Sequence, residues 1–494
     1  MRHRIERDPL GESRVPAEAY YGAQTARAVK NFPISGLHAP DELIVATVLV
    51  KKAAAEANMS LRRLPRDIGH AIVQAADEIL AGRHRDQFVV DVYQAGAGTS
   101  HNMNANEVIA NRALEILGGA RGEYERVHPN DHVNMSQSTN DVFPTATRLA
   151  LLRTTPGLVD AARRLADAFD QKARAFARVL KTGRTHLQDA VPMTLGQEFG
   201  GYAACLRVAA DSVEQAARPL EELNLGATAV GTGLNAGDDY VARAVKKLRE
   251  YTGLRLRPAE NRFRVTQSMG DVLGWSGAVR HLAIETSKIA SDLRLLSMGP
   301  RAGLSEITLP SVQPGSSIMP GKVNPSVPEM VNQVCYQVRG CDATIEAATD
   351  AGQLELNVMM PVIAWNALHA VKILTNATTV LRVKTVQGIR ADAKRARELL
   401  DRSTAVATAL SPYIGYAATA DIAKASVATG KPIRDLVLER ELLPAADLDR
   451  ILTVEAMTMP GVTGAPAARA RRRREARRRS RRRARASGGG APRA

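Results

Sequence analysis

The sequence predicts a mainly α protein built round a bundle of long helices. Three stripes of apolar residues at helical spacing carry that expectation. The clearest lies within 270–299, where Trp275, Val279, Leu282, Thr286, Ile289, Leu293 and Leu296 follow in alternating steps of four and three. A second runs through Met330, Val334, Val338, Cys341, Ile345 and Ala348, and a third candidate covers 358–381. Strand-like alternation is weak throughout. A helix with a long apolar stripe must bury it against a partner, so the stripes imply a bundle.

The elements follow in order. Up to about Ser138, short helical patterns alternate with Gly- and Pro-marked loops such as 31–36. From about Thr139 to Ile389 the pattern is strongly helical. At 1.5 Å per residue the helix within 270–299 is about 40 Å long, and Gly299-Pro300 is a common stop. A smaller helical module is expected over 415–452, broken at Gly430-Lys431-Pro432. Beyond Pro460 the chain turns Ala-, Arg-, Gly- and Pro-rich and is expected to be disordered. These shifts divide the chain into 1–138, 139–390, 391–464 and a tail, 465–494.

Composition narrows the function. The chain has 494 residues, 45% hydrophobic and 24% charged, ordinary for a globular enzyme. Only 4% are aromatic, which argues against a nucleic-acid reader built on stacking platforms. No apolar run is long enough to cross a bilayer, and the first ten residues hold no apolar stretch of the secretory kind, so no membrane role and a cytoplasmic location are expected. Cys205, Cys335 and Cys341 have no CxxC or zinc spacing and are expected to be reduced and mostly buried. The net charge of +16 is concentrated at the end. Thirteen arginines and one glutamate from Arg469 onward carry +12 of it, leaving +4 for the body. No reading module accompanies that charge. Nucleic acid is therefore not an expected partner beyond weak non-specific contact through the tail.

Dense polar segments interrupt the helical pattern. One spans 128–141 and groups Ser138, Thr139 and Asn140, small donors able to hold a carboxylate. Another, 181–189, sets Thr185 beside His186. A third, 313–325, places Ser316, Ser317, Lys322 and Asn324 on a Gly/Pro-punctuated loop just before a helix. A fourth, 96–106, adds Thr99, Ser100, Asn102 and Asn104. Taken singly, Ser/Thr/Asn clusters read as helix caps and turns, and a lone histidine as a hydrogen-bonded structural residue. The stretch from Gly315 to Lys322 is not a phosphate loop: the glycine spacing is one residue too long, and Val323 stands where Ser or Thr is required. Gly231-Thr232-Gly233 is followed by a wrongly spaced Gly237 with no preceding strand, so a dinucleotide fold is unsupported.

Together the segments resemble the aspartase/fumarase superfamily. Gly315-Ser-Ser-Ile-Met-Pro-Gly-Lys-Val-Asn-Pro325 is similar to its signature, and the resemblance reaches to about Gly464. Within the superfamily the chain resembles the aspartases. Gly98-Thr-Ser-His-Asn-Met-Asn104 has Ser where fumarases usually have Gln. Thr185-His-Leu-Gln188 has Leu where fumarases tend to have Thr. The stretches 222–235, 352–359 and 457–464 lean the same way.

The resemblance implies a three-domain fold whose central long-helix bundle forms the core of a homotetramer, with active sites shared by three subunits. Heptad stripes longer than a short-looped monomer easily buries fit that scheme. It also implies a carbon–nitrogen lyase that interconverts L-aspartate, a small dicarboxylate, with fumarate and ammonia. Ser316 would take the Cβ proton, giving an aci-carboxylate dianion that demands preorganised donors. A serine needs its alkoxide stabilised to act as a base, and Lys322 is the only cation in its loop. Thr99, Ser138, Thr139 and Ser317 would hold the β-carboxylate, and Thr185, Lys322 and Asn324 the α-carboxylate. Asn140 and His186 would face the amino group, with Glu329 orienting His186. The loop 313–325 would close over the substrate. No nicotinamide, pyridoxal phosphate or catalytic metal is implied, and a divalent cation acting as an activator is left open. Two departures stand out. His101 is an unusual filler whose polarity near the site is expected to alter substrate fit, and Met360 stands where aspartases commonly have Glu, which bears on local electrostatics but not on the reaction class. Alternatives are a class II fumarate hydratase, a non-catalytic structural homologue and a tail-driven polyanion binder.

Overall fold

The computed structural model describes residues 2–462. The expectation for 465–494 lies outside them. The described chain is mainly α, with long helices at Thr139–Ala175, Leu195–Ala216, Gly270–Leu296, Ser326–Asp350 and Met360–Lys384. It divides into two compact units, neither continuous in sequence. Among the described residues one comprises 2–164, 205–288 and 330–380, the other 165–204, 289–329 and 381–462.

The first unit opens with a hairpin, His3–Asp8 paired antiparallel with Gly11–Pro16. Helices Asp41–Ser60, Arg66–Leu80 and Thr99–Ile116 follow. Pro40 and Pro65 stand immediately before the first two, where a missing N–H costs nothing, and Asp41, Glu42 and Asp67 place negative charge in their first turns. Their apolar faces meet in a core of Ile44, Val48, Ile72, Ile79, Val108, Ile109 and Leu114. Helix Asp238–Thr252 packs on Asp41–Ser60 and ends at Gly253 in the left-handed conformation.

In the second unit a hairpin of Leu180–Thr185 and Gln188–Thr194 packs with short helices between Ala393 and Thr458. Leu180, Leu400, Leu410, Ile422, Ile433, Val437, Leu448 and Ile451 form their core. The break expected at Gly430-Lys431-Pro432 separates Tyr416–Thr429 from Ile433–Glu439, with Gly430 a left-handed C-cap.

The stripe from Trp275 to Leu296 is buried at all seven positions within the single chain. It therefore does not exceed what one chain can cover, contrary to expectation. The large apolar side chains that the long helices leave exposed are others: Val208, Ile284, Leu295, Tyr336, Val380 and Val383. The second stripe enters one residue late. Val331 and Cys335 are buried where Met330 and Val334 are only half-buried, and the seam then follows Val338, Cys341, Ile345 and Ala348. Cys335 and Cys341 are buried and Cys205 is exposed, all three free.

The hairpin at 180–194 is an exception to the strongly helical reading of 139–389. Its strands carry Thr182, Thr185, Val191 and Thr194, with Pro192 and Gly183, a composition that disfavours helix. The register shifts beside Gly183, where an added Cβ would lie 2.7 Å from the Val191 carbonyl oxygen. Among the described residues no helix is long and apolar enough to cross a membrane, and no three His, Cys, Asp or Glu side chains group as metal ligands.

Candidate active site

In the first unit the donor cluster sits at the start of the Thr139–Ala175 helix. The Ser138 carbonyl accepts the N–H groups of Asp141 and Val142, and its Oγ accepts the N–H of Asn140 at 3.3 Å. Ser138 thus caps the helix, as the plain reading of such clusters holds, while remaining half-buried beside Thr139 and Asn140. The Asp141 carboxylate ties the turn down. Its Oδ1 accepts the N–H of Ser138 at 2.9 Å, and its Oδ2 accepts those of Gly226 at 2.9 Å and Thr228 at 3.0 Å. Complete burial raises the Asp141 pKa to about 6, against these three hydrogen bonds and the Lys51 charge.

Pro144 lies in this helix and has no N–H for the carbonyl of Asn140 four residues back. Asn224 takes that carbonyl instead, donating from Nδ2 at 3.0 Å. Asn140 in turn donates from Nδ2 to the Ala229 carbonyl at 2.8 Å. The aspartase-leaning stretch 222–235 is therefore what holds Asn140.

Thr99 is exposed at the start of its own helix, after a turn in which Ala97 and Gly98 both have positive φ. A Cβ on Gly98 would fall on the Phe143 ring. Asn102, on the same helix, donates from Nδ2 to Thr139 Oγ1 at 3.0 Å and to Asn134 Oδ1 at 3.3 Å. Asn134 Oδ1 also accepts from Lys51 Nζ at 2.8 Å. His101 does not reach a substrate surface. Its ring is 2% exposed, lies between Phe88 and Phe143, and bonds Thr47 Oγ1 at 2.9 Å. Burial, then the Lys51 charge, lowers its pKa to about 4, so the ring is neutral. Met360 is fully buried at a helix start.

In the second unit Thr185 and His186 occupy the hairpin tip, exposed. Thr185 pairs with Gln188 across a two-residue turn in which His186 and Leu187 have φ of 54° and 59°. Turns of this hand favour Asn-Gly, so two large side chains here are strained, as functional sites often are. The hairpin base is anchored by buried charge. Lys181 Nζ lies 2.9 Å from Glu198 and 3.4 Å from Glu306, and Arg184 lies 2.9 Å from Glu306, which is fully buried.

The loop 313–325 closes on itself. Gly315 N–H donates to the Lys322 carbonyl at 2.8 Å, and Asn324 Nδ2 donates to the Gly315 carbonyl at 2.7 Å. Ser316 Oγ accepts the N–H groups of Ile318 at 3.2 Å and Met319 at 3.0 Å. Two backbone donors on a hydroxyl oxygen favour its anion. Ser317 and Lys322 are exposed, and Glu329 is half-buried in the first turn of Ser326–Asp350. Among the described residues no hydrogen bond links Thr185 or His186 to this loop or to Glu329.

Sequence reasoning points to the candidate donors and misses Lys51 among the residues that hold them; Asn102, Asn134, Asp141 and Asn224 stand out only as members of their segments. Their signal was weak, because a lysine inside an otherwise apolar helix and an aspartate after Ser-Thr-Asn are common patterns.

A family model described as "Lyase" matches residues 11–340, and one described as "Fumarase C C-terminus" matches 406–459. The chain is 50% identical over 462 residues to an aspartate ammonia-lyase of Bacillus subtilis, covering 94% of this chain and 97% of that protein. It is also 50% identical to that of Escherichia coli K12, covering 92% and 96%. Among solved structures, a fumarate lyase:delta crystallin from Brucella melitensis superposes with a TM-score of 0.88 at 51% identity, covering 90% of this chain and 97% of that one. A class II fumarase from Schistosoma mansoni gives 0.90 at 38% identity, covering 93% and 100%.

Proposed function

The chain belongs to the aspartate ammonia-lyase family of the aspartase/fumarase superfamily, and from that premise we propose that it deaminates L-aspartate reversibly to fumarate and ammonia. The observation that carries the mechanism is Ser316, whose Oγ accepts two backbone N–H groups. Those donors stabilise an alkoxide, which takes the proton from Cβ. The electron pair of the broken C–H bond moves into the β-carboxylate, making the aci-carboxylate dianion. Thr99, Ser138, Thr139 and Ser317 hold it with hydroxyl and backbone donors. The pair then returns to form the Cα–Cβ double bond as the Cα–N bond breaks and ammonia leaves. Thr185, Lys322 and Asn324 hold the α-carboxylate, and Asn140 and His186 face the departing nitrogen, with Glu329 orienting His186.

The site is assembled by a homotetramer, from segments of three subunits. The apolar side chains left exposed on the long helices support this, as does the separation of the hairpin tip from the Ser316 loop in hydrogen bonding. Refolding a mixture of two impaired variants, Ser316→Ala and Thr139→Val, raises activity above that of either alone if one site draws on more than one chain. No nicotinamide, pyridoxal phosphate or catalytic metal is required for the chemistry, and comparison of turnover before and after dialysis against a chelator shows whether a divalent cation acts as an activator.

The test of substrate is ultraviolet absorbance of fumarate formed by the purified chain from L-aspartate and from L-malate. Aspartate is expected to be by far the faster. Faster formation from malate makes the chain a fumarate hydratase. Ser316→Ala is expected to lose most of kcat and to keep substrate binding, and near-native kcat in that variant removes Ser316 as the base.

A further inference from the structure

Lys51 lies on the Asp41–Ser60 helix and is fully buried. Its ammonium donates to Asn134 Oδ1 at 2.8 Å and to Gln137 Oε1 at 3.0 Å. The nearby charge is Asp141, and the neutral ring of His101 lies on the neighbouring helix. Burying a lysine is costly, and two hydrogen bonds to neutral amides repay little of it. Such a group is retained where its charge or its donors are used.

We propose that Lys51 is a positioning residue that sets the direction of the Thr139 hydroxyl through Asn134 and Asn102. A lysine ammonium has only donors, so Asn134 must present its oxygen to it. That same oxygen faces the Asn102 amide at 3.3 Å, so Asn102 must present its NH2 group. The NH2 group of Asn102 also reaches Thr139 Oγ1 at 3.0 Å, and the Thr139 oxygen is thereby an acceptor on its buried side. The Thr139 proton is left free to donate outward, where the proposed reading puts the β-carboxylate. Asn102 is 2% exposed, and its Oδ1 has no hydrogen-bond partner among the described residues. With Lys51 removed, Asn134 is held in that sense only by its own Nδ2, which donates to the Gln137 carbonyl at 3.2 Å, and the Asn102 amide is held less firmly against turning over. Its Oδ1 would then take the Thr139 proton, and the substrate would lose a donor. Burial moves the Lys51 pKa to about 7, against the opposing pull of Asp141, and the neutral amine still has two N–H donors for the Asn134 and Gln137 oxygens.

The inference rests on the reading of Thr139 as a substrate donor, and the experiment separates the two. Asn102→Ala keeps Lys51 and Asp141 in place and cuts the link. Lys51→Met removes its origin. Both variants, checked for native circular dichroism and subunit assembly, are compared with Thr139→Val and with the doubles Asn102→Ala/Thr139→Val and Lys51→Met/Thr139→Val. The expected result is at least a tenfold loss of kcat/KM for L-aspartate in each single variant. The loss should be carried mainly by KM in Asn102→Ala, and neither double should fall below Thr139→Val alone. Native kcat/KM in Asn102→Ala, or losses that add in its double, overturns the inference even if Lys51→Met fails to fold. Native kcat/KM in Thr139→Val instead overturns the placing of Thr139, and the inference with it.

Discussion

The side-chain amide of Asn224 donates to the backbone carbonyl of Asn140 at 3.0 Å, in the place of the helical N–H that Pro144 lacks. Asn224 Oδ1 also accepts from Thr145 Oγ1 at 3.2 Å and Arg148 Nη1 at 3.3 Å. Asn224→Ala should therefore cost about 2–3 kcal/mol, since it leaves a carbonyl and two donors short of partners in a closed site. The second change Pro144→Ala, made on top of it, should return part of that loss, because an alanine at that position brings back the N–H that the Asn140 carbonyl can accept. Urea midpoints of the single and double variants measure both effects. A double variant no more stable than Asn224→Ala would show that the substitution of one donor for another is not what holds the turn.

Gly98 is left-handed, with φ of 85°, and a Cβ there would fall on the Phe143 ring. Phe143 is buried and cannot move aside freely. Gly98→Ala should cost more than about 2 kcal/mol, from overpacking and backbone strain together, and should displace Thr99. Gly118 has similar φ, 78°, with open space around it, so Gly118→Ala should cost only the backbone term, about 1 kcal/mol. Thermal unfolding of the two variants makes the comparison, and equal losses would exclude the ring clash.

Arg148 is fully buried and paired with Asp271, Nε to Oδ2 at 2.7 Å. Asp271→Ala strands that guanidinium and should cost about 3–5 kcal/mol. The exposed pair Arg164–Asp160, also close at 2.8 Å, is worth little, and Asp160→Ala should change stability by less than about 0.5 kcal/mol. Denaturant titration reads both, and burial rather than distance should decide the outcome.

His101 supplies a pH test. The Thr47 hydroxyl donates to the Leu43 carbonyl, so its oxygen accepts from His101 Nε2–H. The folded ring resists protonation down to about pH 4, whereas in the unfolded chain it takes a proton below about 6.5. The unfolded state then binds more protons, so stability falls as pH drops through that window, by about 3 kcal/mol in all. Glutamine can keep the donor and does not titrate. His101→Gln should therefore lose less stability than the native chain between pH 7 and pH 4.5, while other acid-sensitive groups act equally on both. Parallel slopes would mean that the ring titrates normally when folded.

Much of this protein was legible before folding. Apolar spacing identified three of the five long helices, Gly270–Leu296, Ser326–Asp350 and Met360–Lys384, because a stripe that recurs at 3.5 residues can bury itself only as a helix. The stripe from Trp275 to Leu296 is buried at every position. The donors Ser138, Thr139, Asn140, Ser316, Lys322 and Asn324 could be named because their segments are dense in polar groups and punctuated by Gly and Pro. What depends on distant parts of the chain was not legible. The hairpin at 180–194 forms inside a helical stretch because its inner strand packs against residues more than 200 positions later, such as Leu400 and Ile422. Asn224 reaches Asn140 only because Pro144 frees a carbonyl, and Lys51 reaches Asn134 across 83 residues of sequence. Local pattern determines which element a segment prefers. Only tertiary structure decides which buried polar group finds which partner, because that pairing is settled by the cost of leaving it unmade in a closed core.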